Sequence, residues 1–105
     1  MSSPALDDMT RSACRLDLWL YRTRLLKTRT LATRKIRDRK IRVFRNGQVE
    51  KVKKPHTLIK PGDHITFMRG TNLISVQMVA PGTRRGPAPE AQALYKWLGE
   101  PQIQS

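Results

Sequence analysis

A single cysteine, Cys14, occurs in the sequence. Neither an intramolecular disulfide nor a multi-cysteine zinc site can be built from it, and a reducing compartment is its natural setting. Long apolar runs are missing too, so no uncharged stretch approaches membrane-spanning length. Aromatic residues are few, with two each of Trp, Tyr and Phe, and they form no long apolar face opposite the cations that would favour a membrane surface. The glycines mark turns without a phosphate-loop signature. His56 and His64 lack an acid or cysteine at ligand spacing, and no Ser-His-Asp arrangement is visible. The expectation is therefore no metal, no cofactor and no catalytic centre. Met1 to Thr10 contains Asp7 and Asp8 and no apolar segment, unlike a secretory or transit leader, which points to the cytoplasm.

Acidic residues are the other scarcity: 8 stand against 21 Lys and Arg, for a formal net charge of +13. The excess is local. From Arg11 to Lys60 there are 17 bases and 3 acids (Asp17, Asp38 and Glu50), whereas the rest of the chain carries 4 bases and 5 acids. Charge concentrated in this way repels itself and destabilises a compact state, so a bound polyanion is a simpler account than a solvated basic face.

A chain of 105 residues fits one small domain, expected over residues 13–80, with a disordered tail at 1–12 and a basic linker plus a C-terminal helix over 81–105. Leu16, Trp19, Leu20 and Thr23 follow helical spacing, with Asp17 near the positive end of the dipole. Thr28 is a candidate N-cap for a second helix running to about Arg37, with Leu31, Ala32 and Ile36 inward. Beyond Ile41 the period shortens. Ile41 and Val43, then Asn46-Gly47, then Val49 and Val52 predict a hairpin, because Asn-Gly tolerates the positive φ of a tight turn. Pro61-Gly62-Asp63 predicts a further turn, and two strands follow over Ile65 to Met68 and Ile74 to Met78. Pro81 to Pro89 reads as linker. After it a last helix is expected, with Leu94, Trp97 and Leu98 on one face and Gly99 and Pro101 stopping it.

The candidate nucleic-acid contacts lie in the basic half. Lys27, Thr28 and Arg29 stand at a helix start, where free N–H groups and the dipole already favour a phosphate. Thr33, Arg37 and Lys40 recur at i, i+4 and i+7 with Arg34 beside them, forming an outward row of donors. Arg15 and Arg22 flank the same groove from the first helix. Arg84 and Arg85 in the linker supply a second contact, adding avidity without enlarging the fold. Trp19 belongs to the core by its spacing from Leu16, while Tyr21 stays open as a stacking residue.

Arg15-Leu16-Asp17, the Lys27-Thr28-Arg29-Thr30-Leu31-Ala32 junction, Asn46-Gly47 and Pro61-Gly62-Asp63-His64-Ile65 occur in an order that resembles the alpha-L RNA-binding domain. This α+β fold, first associated with small-subunit ribosomal protein S-four, packs two N-terminal helices on a small, mostly antiparallel sheet. Arg84 to Glu90, Ala91, Ala93, Leu94 and Tyr95 further resemble the bacterial ribosome-associated heat-shock members. That resemblance implies a non-enzymatic protein that binds ribosomal RNA of the large subunit, acting on subunits blocked by nascent chain-tRNA under stress, and the free chain is expected to be a monomer. Three departures stand out: Leu18 replaces a usual base, Asp38-Arg39 replaces a Gly-containing turn, and extra residues between Ile36 and Pro55 leave the hairpin register open. Two other roles stay open at this point, an RNA-targeting accessory of a separate modifying enzyme and a nonspecific nucleic-acid chaperone.

Overall fold

Leu16, Trp19 and Leu20 share one helical face and build α1 (Leu16–Arg22), in which all three are fully buried. The computed structural model describes residues 13–98, so the expected tail at 1–12 and the expected stop at Gly99 and Pro101 lie outside the described residues. α1 ends where Arg24 enters the left-handed region at φ 63°, its N–H bonded to the Tyr21 carbonyl. Thr28 then caps α2 (Arg29–Arg37), its Oγ1 accepting the Leu31 N–H at 3.0 Å. Ala32 and Ile36 are buried and Leu31 is half-buried. α2 closes in a Schellman arrangement: Lys40 N–H reaches the Lys35 carbonyl at 3.0 Å and Arg39 N–H the Ile36 carbonyl at 2.9 Å. Arg39 sits at φ 59°, so the position that departs from a Gly-containing turn is one where glycine would be unstrained.

The chain then becomes sheet. β2 (Ile41–Arg45) and β3 (Gln48–Val52) pair with Arg45 opposite Gln48 and Ile41 opposite Val52, which fixes the register. Asn46 and Gly47 turn the hairpin at φ 53° and 76°. β5 (His64–Arg69), β6 (Asn72–Met78) and β7 (Tyr95–Trp97) complete an antiparallel sheet in the order β3-β2-β5-β6-β7. A second ladder joins β1 (Cys14–Arg15) to β4 (Leu58–Ile59). Two-residue strands carry too little periodicity to be read from sequence. This one nevertheless sets the start of α1, together with Leu16 N–H to the Thr57 carbonyl and Asp17 N–H to the Pro55 carbonyl. Ile41, Val43, Ile65, Phe67, Ile74, Val76 and Met78 close the core against both helices.

The expected last helix is shorter than its apolar spacing suggests. α3 covers only Ala88–Gln92, with Pro89 in its first turn as expected, and Tyr95–Trp97 is strand. Leu94, Trp97 and Leu98 therefore do not form one helical face. The edge of β6 offers unpaired backbone groups, and the alternating Tyr95-Lys96-Trp97 segment satisfies them: Val76, Gln77 and Met78 pair with Trp97, Lys96 and Tyr95. Leu94 is buried instead beside Gly82, where an added Cβ would lie 2.7 Å from its Cδ1.

Candidate nucleic-acid interface

Asp17 is 1% exposed, which is costly for a carboxylate unless it is paired. Its partners come from two elements. Arg15 grips it in a fork, Nε to Oδ1 at 3.1 Å and Nη2 to Oδ2 at 2.9 Å, and Arg29 Nε lies 3.5 Å from Oδ2. The two arginine side chains are 45% and 46% exposed. Arg15 is thus fixed on a buried anion by two hydrogen bonds and Arg29 is drawn to the same carboxylate by charge, while both side chains remain half-exposed to solvent.

These residues line a groove of about 380 Å³ with Thr30, Thr33, Arg37 and Pro55. Its floor is the junction of α1, α2 and the segment before β4. Three guanidinium charges stand against one carboxylate, and the positive end of the α2 dipole adds to them. Guanidinium donors beside threonine hydroxyls at a helix N-terminus are the chemistry that can accept phosphate oxygens.

Residues 14–65 match the family model for the S4 domain. A solved structure of trimeric heat shock protein 15 from Vibrio cholerae is 33% identical, with 83% of each chain covered and a TM-score of 0.71. The chain belongs to the S4 domain family. Comparison with curated proteins gives no significant match. The S4 domain makes this an RNA-binding protein, and the family match spans both helices, the hairpin and the groove.

Within this S4 domain the expected contacts divide into groups. Arg15, Arg29, Thr33 and Arg37 come together in the groove. Thr28 caps α2, and Lys27 is exposed just before it. Arg34 is exposed on α2 but does not line the groove. Lys40 has left the helix and lines a separate cleft with Lys35, Arg39 and Arg42, so Thr33, Arg37 and Lys40 do not form one row. Arg22 donates to the carbonyls of Pro81 and Gly82. Arg85 donates to those of Tyr21 and Leu26 and lies 4.6 Å over the Tyr21 ring. Arg84 forks onto Glu90, an ion pair that lowers the Glu90 pKa. The linker is consequently pinned at the C-terminal end of α1, where arginines meet the negative end of the helix dipole, and not in the groove.

Sequence reading assigned Asp17 to the dipole and overlooked its role as an anchor for two arginines. A signal was present: only three acids occur across fifty basic-rich residues, so each has a local reason to persist. Thr30 and Pro55 were also overlooked, and Pro55 is brought to the groove by the β1–β4 ladder and by the Asp17 N–H bonded to its carbonyl. Arg45, another base of the hairpin, is a structural residue. It forks onto buried Asp63 at 3.1 and 2.7 Å, and that hydrogen bonding raises its pKa. Trp19, as expected, is core, its Nε1 donating to the Ala80 carbonyl at 2.9 Å. Among the described residues no helix is long and apolar enough to cross a membrane, and no group of three or more metal-ligating side chains occurs.

Proposed function

We propose that the chain docks on ribosomal RNA of the large ribosomal subunit through the Arg15–Asp17–Arg29 groove, on subunits blocked by nascent chain-tRNA during stress. The observation that carries the reading is the buried Asp17 carboxylate holding two arginines from different elements, Arg15 of β1 and Arg29 of α2, beside each other. A fixed pair of cations matches the phosphate geometry of a folded RNA, whereas mobile cations favour any polyanion. Lys27, Thr28, Arg34 and Lys40 extend the surface beyond the groove, Arg22 and Arg85 hold the linker, and exposed Arg84 adds a peripheral contact. The protein works by binding and not by catalysis, in the cytoplasm, as a monomer when free. Similarity to a heat shock protein supports the stress setting.

Crosslinking in cells followed by sequencing of the attached RNA tests the assignment. Large-subunit ribosomal RNA is the expected majority, and reads dominated by messenger RNA would remove it. Comparable affinity for DNA duplex would favour a nonspecific chaperone, and copurification of a modifying enzyme would favour an accessory role.

A further inference from the structure

The helices cover one face of the large sheet, packing on Ile41, Val43, Ile65 and Val76. The opposite face carries a different set. Arg42 stands directly opposite Lys51, and in the next outward row Phe44 stands between Val49 and His64. Arg42, Phe44, Val49 and Lys51 are all exposed. The acid of the hairpin, Glu50, pairs with buried Val43 and belongs to the other face. Two cations directly opposite each other on a ladder repel, so this face holds an electrostatic cost that a bound anion would relieve. At its rim, Arg42 and Lys40 join Lys35, Arg39 and Met68 around a cleft of about 390 Å³. Lys35 Nζ is tied there to the Met68 carbonyl at 3.2 Å.

We infer that this open sheet face is a second RNA-binding surface, separate from the groove and suited to an unpaired segment. Arg42, Lys51 and the rim cations hold its backbone, and Phe44 stacks one base. A flat face with an aromatic ring among cations is a stacking platform for a splayed base, whereas the bases of a duplex are already stacked on one another. A second copy of this chain, carrying the same +13 charge, is a poor electrostatic match. The inference rests on the RNA-docking reading but uses different residues, so the two can fail separately.

The test is fluorescence anisotropy with a labelled RNA hairpin, blunt or extended by an unpaired oligouridine tail, and the full chain. The tail should strengthen binding about tenfold. Phe44→Ala should abolish that gain while leaving blunt-hairpin affinity and the thermal melt unchanged, and Phe44→Trp should keep the gain. A tail that adds no affinity, or a gain that survives Phe44→Ala, overturns the inference. So does sedimentation velocity showing that Phe44→Ala disperses an oligomer while the gain persists, which would assign the face to a second copy. Binding of tailed RNA without any affinity for the blunt hairpin would support the sheet face and overturn the groove.

Discussion

Asp17 separates a positioned pair of arginines from mere positive charge. Replacing it by Asn raises the net charge by one, so an account based on total charge expects tighter RNA binding. Loss of the buried anchor frees Arg15 and Arg29, and the expected outcome is several-fold weaker binding by anisotropy. Stability should fall by about 1–2 kcal/mol, read by urea unfolding, because the arginines are half-exposed and water screens part of the pairing. Cys14 gives a pH signature. Burial pushes its thiol from an ordinary 9.0 up to about 11, with Arg22 opposing and Asp17 adding slightly. Below pH 9 the thiol is neutral in folded and unfolded chains alike. Between pH 9 and about 11 the unfolded chain ionises first, the folded state binds more protons, and stability falls as pH rises. With its partial exposure discounted, the loss is about 1 kcal/mol. Cys14→Ala should flatten that part of the pH–stability curve.

At the scale of elements, both helices end on non-glycine residues in the left-handed region, Arg24 and Arg39. Arg39→Gly should raise stability by about 0.5–1 kcal/mol in thermal unfolding, since the backbone there already favours glycine. Thr28→Ala should lower it by about 1 kcal/mol, because the cap bond to Leu31 is lost. The C-terminal segment is part of the fold: β7 pairs with β6, and residues 81–86 accept hydrogen bonds from Arg22 and Arg24. Ending the chain at Ala80 should therefore depress the melting temperature. Arg84→Gln, at an exposed residue, isolates any RNA contact of the linker from that folding defect.

For the whole molecule, the charge asymmetry governs how binding responds to salt. Affinity for large subunits should fall linearly in a log–log plot, and each lost phosphate contact should reduce the slope by roughly 0.7 to 0.9. Arg29→Glu in the groove should weaken co-sedimentation far more than Lys96→Glu on exposed β7. Equal losses would mean that the overall field, and not the groove, drives docking.

Much of this was legible in the linear chain because the deciding interactions are local. Helical spacing placed Leu16, Trp19 and Leu20. Thr28 announced its cap, and Asn46-Gly47 announced a turn whose backbone few other pairs adopt. The count of bases against acids located the RNA-binding half. Tertiary structure decided what depends on residues distant in sequence. Asp17 met Arg29 only after α1 folded onto α2, and Pro55 reached the groove through a ladder too short to leave a pattern. The Leu94 to Leu98 segment satisfied helix and strand spacing alike, and the open edge of β6, formed by residues about 20 positions earlier, selected the strand. Similarly, arginines that look alike in the sequence take different places according to packing: Arg15 and Arg29 meet at Asp17 in the groove, Arg45 is tied to Asp63, and Arg22 and Arg85 reach backbone carbonyls.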